Sequence, residues 1–394
     1  MSINGWIVAD SDMHVLEPPD LWQRYMDPRW AYAAPVGMTN LDARDMRVQV
    51  KNRVVARVSD LRPGAYDGLW SDEHVSVFAH AEERGWDAKS QLTAMDMESL
   101  DSTVLFPSRG LFVLGIPSTE WMGPDGLEPD LALAIARAYN DWLHDFAAED
   151  PSRMFGAAML APHDVAGSVD ELARCVEDLG FRAAFLTPGL PDRRPWHDPV
   201  YDPIWAECVR LGVPVCFHGG GKTYAQPDFA FGDILGPTTL WHPFNQPLGI
   251  MFVATCLAAG GVLERFPDLK VGLLEGNCSW MPYMAYRWDE HWEWLGRYET
   301  PDVLRKPSEY LLEQCFFSVE ADEAPARHYI DEFGDDNLVY STDYPHADSK
   351  FPHATESFLG LPLPEESLRK ILWENYARLY GFPAESPVRD PSTR

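Results

Sequence analysis

LVYSTDYPH, at residues 338–346, begins as a short apolar run and ends in acidic and imidazole side chains. Apolar runs of this kind are typical of parallel strands that are buried on both faces. Seven similar runs precede it along the chain, so the sequence predicts eight strands. These runs lie at residues 6–14, 102–108, 155–162, 181–188, 213–219, 270–277 and 316–320.

Segments with helical spacing of apolar residues separate most of these runs. Most of them end next to a glycine, which readily adopts the left-handed conformation that follows a helix. The second of these helices is predicted to begin at a Ser168 cap. The predicted helices lie at residues 131–146, 168–179, 201–211, 247–259 and 364–380.

The alternation of eight strands with helices predicts an α/β fold, a (β/α)8 TIM barrel with right-handed crossovers. The main alternative is a doubly wound open sheet. It usually has fewer strands and often carries a glycine-rich nucleotide loop after the first strand, which this sequence lacks. We predict one barrel domain over residues 1–382, with residues 15–98 as an insertion over the barrel mouth and residues 383–394 as a tail.

The overall charge narrows the classes of partner. The 394 residues include 61 Asp and Glu against 32 Lys and Arg, a formal net charge of −29, which disfavours binding to a nucleic-acid backbone. No apolar run reaches the about 18 residues of a membrane span, and no secretory signal is visible.

Six cysteines without a CxxC pair indicate reduced thiols, so we expect a cytoplasmic protein without disulfides.

Polar side chains follow several of the predicted strands at the end where barrel enzymes carry their chemistry. Converging carboxylates in a buried mouth need a positive partner, and mixed carboxylate and imidazole ligands suit Zn, Mn or Fe. The sequence therefore predicts a divalent metal site that includes His14, His218 and Asp343. The groups at the strand ends are Asp12, His14, Glu17, His218, Glu275, Asp343 and His346.

From about residue 7 to residue 382 the chain resembles the amidohydrolase-related proteins of the aminocarboxymuconate-semialdehyde decarboxylase type. The matching segments include ADSDMHVLEPPDLW, DPVYDPIWAECVRLGVPVCFHGG, GGVLERFPDLKVGLLEGN, STDYPH and ENYARLYGF. The resemblance implies a barrel whose divalent metal is bound by residues of the first, fifth and eighth strands. Carried over to this chain, the ligands are Asp12, His14, His218 and Asp343.

The chain departs from the decarboxylase pattern at the sixth strand, where Glu275 replaces a catalytic histidine. One branch of the family combines such a glutamate with an Asp-x-His-x-x-Glu start, and some of its members resemble enzymes with two metal ions. The resemblance therefore leaves one or two ions open, with Zn, Mn or Fe as the metal. A second ion would be held by Glu17, Glu275 and His242, with His291 as a further ligand candidate.

Our main functional expectation is a metal-dependent hydrolase that cleaves a C–N, C–O or thioester bond in a small organic substrate. A metal-activated water would attack, with Asp343 accepting its proton and Glu275 as a second catalytic group. Three alternatives stay open. They are a dinuclear Mn/Fe oxygen-activating hydroxylase or monooxygenase component, a non-oxidative decarboxylase, and a non-catalytic subunit of a heteromeric complex.

Three residues near the predicted mouth are candidates for contacting the substrate. They are Arg109, which could hold a carboxylate, the aromatic Trp241, and His346. The sequence contains 15 tryptophans, and because Trp is enriched at subunit interfaces we expect a homodimer or a heteromer with a related subunit.

Overall fold

Eight parallel strands form a nearly closed barrel in this computed structural model, which describes residues 3–39, 45–55, 76–219, 223–225, 238–346 and 348–383. In chain order the described strands are β1 (Ala9–Val15), β2 (Val36–Gly37), β3 (Val48–Val50), β4 (Arg53–Val55), β5 (Ser102–Pro107), β6 (Met154–Met159), β7 (Ala183–Leu186), β8 (Val215–His218), β9 (Val271–Leu274), β10 (Cys315–Glu320) and β11 (Leu338–Ser341). The barrel sheet consists of eight of them, in the order β1-β5-β6-β7-β8-β9-β10-β11.

The predicted barrel is confirmed, and each of the eight predicted runs contains most or all of one barrel strand. Nearly all residues of these strands are buried, because the side chains face either the barrel interior or the surrounding helices. The first and last strands meet at a seam, where the Asp10 carboxylate accepts hydrogen bonds from the backbone N–H and hydroxyl of Thr342. Near the end of β1, the N–H of His14 donates to the carbonyl of Tyr344, which follows β11, at 2.7 Å.

Helices follow the strands around the barrel. The longer ones have an apolar face that packs on the sheet, as the helical spacing of the sequence predicts. The α-helices are Leu21–Tyr25, Ala79–Glu82, Ala88–Met97, Gly110–Val113, Thr119–Met122, Pro129–Ala147, Val165–Glu177, Asp202–Leu211, Thr238–Ala258, Val262–Arg265, Met281–His291, Arg297–Glu299, Pro307–Gln314, Ala326–Phe333, Ala354–Leu359, Glu365–Arg369 and Asn375–Tyr380. Two π-helical turns, Trp292–Gly296 and Lys370–Glu374, and four 3-10 turns, Ile3–Gly5, Pro28–Trp30, Gly123–Asp125 and Pro199–Tyr201, complete the described helical elements.

The predicted cap at Ser168 is wrong. The helix begins at Val165, and the side chain of Asp164 caps it by accepting a hydrogen bond from the N–H of Gly167 at 2.9 Å. The hydroxyl of Ser168 instead donates to the carbonyl of Ala161 at 2.8 Å. Both residues are good N-caps, so local sequence alone did not separate them.

The described part of residues 15–98 contacts the barrel mouth. β2, β3 and β4 form a small antiparallel sheet. The Lys51 ammonium lies 3.0 Å from Glu128 at the start of a barrel helix. The ring of Phe78 stacks on Phe351, which follows β11, with ring centroids 5.3 Å apart. The extent of the insertion over the mouth stays a prediction, because residues 40–44 and 56–75 lie outside the described part.

The six cysteines are free thiols, as the sequence predicts. All six are buried and unpaired. Within the described ranges, no helix combines the length and the apolar character that crossing a membrane requires.

Candidate metal centre

Four side chains from three parts of the barrel meet at the carboxyl ends of the strands. Asp12 and His14 lie on β1, His218 is the last residue of β8, and Asp343 follows β11. Nε2 of His218 lies 3.0 Å from Oδ1 of Asp12 and 2.9 Å from Nε2 of His14. Nε2 of His14 lies 3.5 Å from Oδ1 of Asp343. These four residues form the metal site that the sequence predicts, and we refer to them as the metal centre; all four are buried.

The hydrogen bonds of the two imidazoles at Nδ1 leave their Nε2 atoms directed into the metal centre. Nδ1–H of His14 donates to the carbonyl of Pro107 at 2.7 Å, and Nδ1 of His218 lies 2.5 Å from the carbonyl of Gly219. In a neutral imidazole with a protonated Nδ1, Nε2 carries a lone pair. With a separation of 2.9 Å between the two Nε2 atoms, either one of them carries a proton that it donates to the other, or both lone pairs face a cation, so this donor set fits a metal ion.

The acidic side of the metal centre also requires a cation. Both carboxylate oxygens of Asp12 are buried, and neither has a hydrogen-bond partner among the described residues, although Nε2 of His218 lies 3.0 Å from Oδ1. A buried carboxylate without a partner costs several kcal/mol, which a coordinated metal ion would offset. Burial lowers the pKa of His218, but the carboxylates of Asp12 and Glu275 raise it more, to about 9. The surroundings therefore favour positive charge at this place, and a divalent ion supplies more of it than a proton.

A histidine next to the metal centre holds Asp343. Nδ1 of His346 lies 2.7 Å from Oδ1 of Asp343, and its Nε2 lies 3.2 Å from the hydroxyl oxygen of Ser108. The ring of His346 also contacts the ring of His14, with centroids 4.0 Å apart. Ser108 is not among the site residues that the sequence predicts. It nevertheless follows the second barrel strand directly, and a position at a strand end is the feature that identifies the predicted residues.

Glu275 contacts His218 on the side of its ring that faces away from the other residues of the metal centre. Its Oε2 lies 3.1 Å from Nδ1 of His218, on the ring edge opposite to Nε2. Burial raises the pKa of Glu275, and the positive charge of His218 opposes this shift and favours the carboxylate. A carboxylate behind a metal-binding histidine orients the ring and raises its basicity. The geometry thus suits Glu275 as a partner of His218.

The carboxylate of Glu17 points at a loop and not at the metal centre. Its oxygens accept hydrogen bonds from the backbone N–H groups of Ser108, Arg109 and Gly110, at 3.3, 2.8 and 2.9 Å. The side chain of Arg109 is also buried, and it donates to the carbonyls of Glu17 and Met38. Both side chains therefore hold the loop after β5 against the segment after β1.

The remaining predicted site residues lie on helices outside the metal centre, although burial, the histidines of the metal centre and the charge of His242 together lower the pKa of His346. Trp241 and His242 are half-buried on the helix Thr238–Ala258, with ring centroids 5.3 Å apart. His291 is largely exposed, and its Nδ1 lies 2.8 Å from the carbonyl of Arg287 in its own helix. Among the residues that the structure describes, two groups bring three ligand atoms within reach of one ion. They are Asp12–His14–His218 and His14–Asp343–His346, without Glu17, His242, Glu275 or His291.

The contacts of Glu17 lead to a prediction. We expect Glu17→Gln to keep the full metal content, measured by elemental analysis, and to lower the free energy of unfolding by about 1–3 kcal/mol. The amide replaces one acceptor oxygen by a donor that faces backbone N–H groups, so a buried donor loses its partner. Loss of one metal ion per chain with unchanged stability would instead assign Glu17 as a ligand.

Comparison with known proteins gives one family and several relatives. The sequence profile of the family described as Amidohydrolase matches residues 10–382. A gamma-resorcylate decarboxylase from Rhizobium is 30% identical over 259 residues, which is 63% of this chain and 76% of the relative. The 2-amino-3-carboxymuconate-6-semialdehyde decarboxylase of Dictyostelium discoideum is 27% identical over 278 residues, 68% of this chain and 69% of the relative.

Solved structures with this fold cover almost the whole chain. An amidohydrolase from Mycobacterium avium subsp. paratuberculosis aligns with a TM-score of 0.73 at 20% identity, covering 96% of this chain and 99% of the other. A dihydroxybenzoic acid decarboxylase from Polaromonas, solved with manganese and the inhibitor 2-nitroresorcinol, aligns with a TM-score of 0.66 at 20% identity. That alignment covers 95% of this chain and 97% of the other.

Proposed function

We propose that this chain, which belongs to the amidohydrolase family, is a metal-dependent enzyme that removes the carboxylate group of a small aromatic acid without an oxidant. The observation that carries the proposal is the metal centre, in which the Nε2 atoms of two buried histidines lie 2.9 Å apart beside a buried carboxylate that has no hydrogen-bond partner among the described residues. The names of the relatives support decarboxylation over the hydrolysis that we expected first from the sequence.

Asp12, His14, His218 and Asp343 would hold the metal, and Glu275 would orient His218. A divalent ion at this place would supply positive charge that binds the substrate carboxylate and stabilises the negative charge that develops during the reaction. Manganese is our first choice, because the Polaromonas decarboxylase binds it. A single ion is sufficient for this role.

The pair formed by Asp343 and His346 would hold the proton that the reaction consumes. Oδ1 of Asp343 and Nδ1 of His346 are 2.7 Å apart, so one proton can be shared between them. This proton forms a new C–H bond at the ring carbon that carries the carboxylate, using an electron pair of the ring. The C–C bond then breaks, carbon dioxide leaves, and its electron pair restores the aromatic ring.

Hydrolysis is the second candidate, because of one specific observation. Glu275 occupies the place where the resemblance to the decarboxylases implies a histidine, so this chain lacks one imidazole of that pattern. In a hydrolase the same metal centre would bind and activate water, and Asp343 would accept its proton.

An isotope experiment separates the two reactions. Manganese-loaded protein is incubated with a panel of hydroxybenzoates, including 2,6-dihydroxybenzoate, and with their amides and esters, in D₂O and separately in H₂¹⁸O. Decarboxylation releases carbon dioxide and places one deuterium on the ring carbon that carried the carboxylate. Hydrolysis instead incorporates ¹⁸O into the acid product. Carbon dioxide from none of the acids, together with ¹⁸O incorporation, would overturn the proposed function.

The role of Glu275 leads to a second prediction. We expect Glu275→Gln to weaken metal binding about 10- to 100-fold, because the neutral amide no longer supports the basicity of His218. At saturating metal, the number of ions per chain should stay the same as in the unchanged protein. A metal titration followed by elemental analysis measures both quantities. A decrease of one ion per chain at saturation would support the dinuclear alternative.

A further inference from the structure

The helical segment that follows β9 has one buried face and one exposed face. It consists of the α-helix Met281–His291, the π-helical turn Trp292–Gly296 and the short helix Arg297–Glu299. The buried face packs on the rest of the protein through side chains that include Ala285 and Trp288. The opposite face of the same segment is turned to solvent.

Four large aromatic side chains lie on the exposed face, and we call them the aromatic stripe. They are Tyr283, Tyr286, Trp294 and Tyr298, each 63–67% exposed. Their spacing, of one helical turn or two, keeps them on one side of the segment. Single exposed aromatic residues are common on protein surfaces, whereas a contiguous apolar patch indicates an interaction site.

The area of the aromatic stripe is large enough to form the centre of a protein interface. An aromatic side chain removes about 150–250 Å² from water when it is fully buried. At two-thirds exposure, the four side chains of the stripe therefore offer about 400–650 Å². A stable interface of standard size takes about 800 Å² from each partner. The stripe alone thus supplies half or more of the area that each partner needs.

The order of the side chains along the segment suits a second copy of the same chain. Tyr283 and Tyr298 are equally distant in sequence from the peptide bond before His291, and so are Arg287 and Trp294. When two copies pack antiparallel about a two-fold axis at this point, Tyr283 of each copy lies opposite Tyr298 of the other. Arg287 likewise lies opposite Trp294. Both pairings are favourable, because aromatic rings attract each other and a guanidinium attracts the face of an indole.

The charges beside the stripe do not oppose this pairing. Glu290 lies 2.7 Å from Arg287 of its own chain, and Glu293 lies 2.6 Å from Lys306. These two carboxylates are therefore neutralised before a second copy arrives. The net charge of −29 makes two copies repel each other at a distance, but physiological salt screens this repulsion beyond about 8 Å.

We propose that the aromatic stripe is the contact surface of a homodimer, in which two copies of the helical segment pack antiparallel about a two-fold axis beside His291. The tryptophan content of the sequence predicts a homodimer or a heteromer without locating the interface. The structure adds the surface, the partner and the pairing of the side chains. This inference does not depend on the proposed function.

Chemical cross-linking tests the antiparallel arrangement. The variant that combines Tyr283→Cys with Tyr298→Cys is treated with a short bismaleimide and examined on a denaturing gel. The six native cysteines are buried, so the introduced thiols are the exposed ones. The double variant should form covalent dimers, because its two different thiols meet across the interface. Each single variant should not, because its two thiols lie about 22 Å apart along the paired helices.

A charge in the middle of the stripe should separate the two copies. We expect Trp294→Glu to raise the dissociation constant of the dimer at least about 100-fold, because a two-fold interface contains the substitution twice and buried tryptophans contribute strongly to binding. Sedimentation velocity at physiological salt measures the constant. The matched control is Tyr32→Glu, at a tyrosine outside the stripe that is 83% exposed, which should leave the constant unchanged. Circular dichroism shows whether both variants stay folded.

Three outcomes would overturn the proposal. The first is an unchanged chain that stays monomeric at about 0.1 mM, whichever other protein then covers the stripe. The second is a dissociation constant that Trp294→Glu leaves unaltered, because the copies then meet at another surface. The third is a covalent dimer from either single cysteine variant, which would contradict the antiparallel arrangement. No substrate takes part in these measurements, so they are independent of the reaction that the protein catalyses.

Discussion

Replacing His218 with alanine is expected to remove the bound metal and to lower turnover by at least about 10³-fold, because a divalent ion supplies several kcal/mol of charge stabilisation to such a reaction. Nε2 of His218 lies within 3.0 Å of both Asp12 and His14, and no other described histidine can take its place between them. Metal content per chain and turnover are the two measurements.

A matched control is available in the same chain. His291 is a largely exposed histidine whose Nδ1 is held by a helix carbonyl, so His291→Ala should keep both the metal and the activity. His14→Ala should behave like His218→Ala. Circular dichroism shows whether each variant stays folded. Stoichiometric metal in folded His218→Ala would refute the assignment of the metal centre.

The second large effect is expected for Asp343→Asn, which should lower kcat by about 10²- to 10⁴-fold, the usual contribution of a positioned acid or base. Asparagine has the same shape but cannot share a proton with His346, which lies 2.7 Å away. Since the amide oxygen can still act as a ligand, the number of ions at saturating metal should remain unchanged. Steady-state kinetics at saturating metal measures this effect.

The control for this variant is an aspartate outside the metal centre. Asp335 pairs with Lys370 at 2.7 Å, so Asp335→Asn should leave kcat unchanged. If Asp343→Asn retains full turnover, the proton must come from another group, and the role given to the Asp343–His346 pair is wrong.

The barrel could be predicted because parallel strands that are buried on both faces need continuous apolar runs, which are visible in a single sequence. The family that the sequence resembles is also confirmed. The residues at which helices begin were harder to predict from the sequence. The helix Thr238–Ala258 begins nine residues before its predicted start and contains Pro243 and Pro247. Because prolines usually interrupt a helix, the sequence did not predict the helical turns that precede residue 247.

The metal centre could be anticipated only in part. Strand ends predicted that Asp12, His14, His218 and Asp343 lie together, because the carboxyl ends of all barrel strands share one face. The direction of each further carboxylate depends on the backbone that follows a strand. Glu275 has a positive φ of 50°, a conformation that the sequence does not reveal. The ligand assignment, the compartment and the oligomeric state stay predictions.

The seam between β1 and β11 has a consequence for the biosynthesis of the protein. The proposed ligands Asp12 and His14 lie on one side of this seam and Asp343 lies on the other, so an ion bound to all three would link the first strand of the barrel to the segment after the last. A nascent chain on the ribosome cannot form this site before residues 338–346 have emerged. Metal capture should therefore be a late step of maturation, and a chain that ends early should remain without its ion.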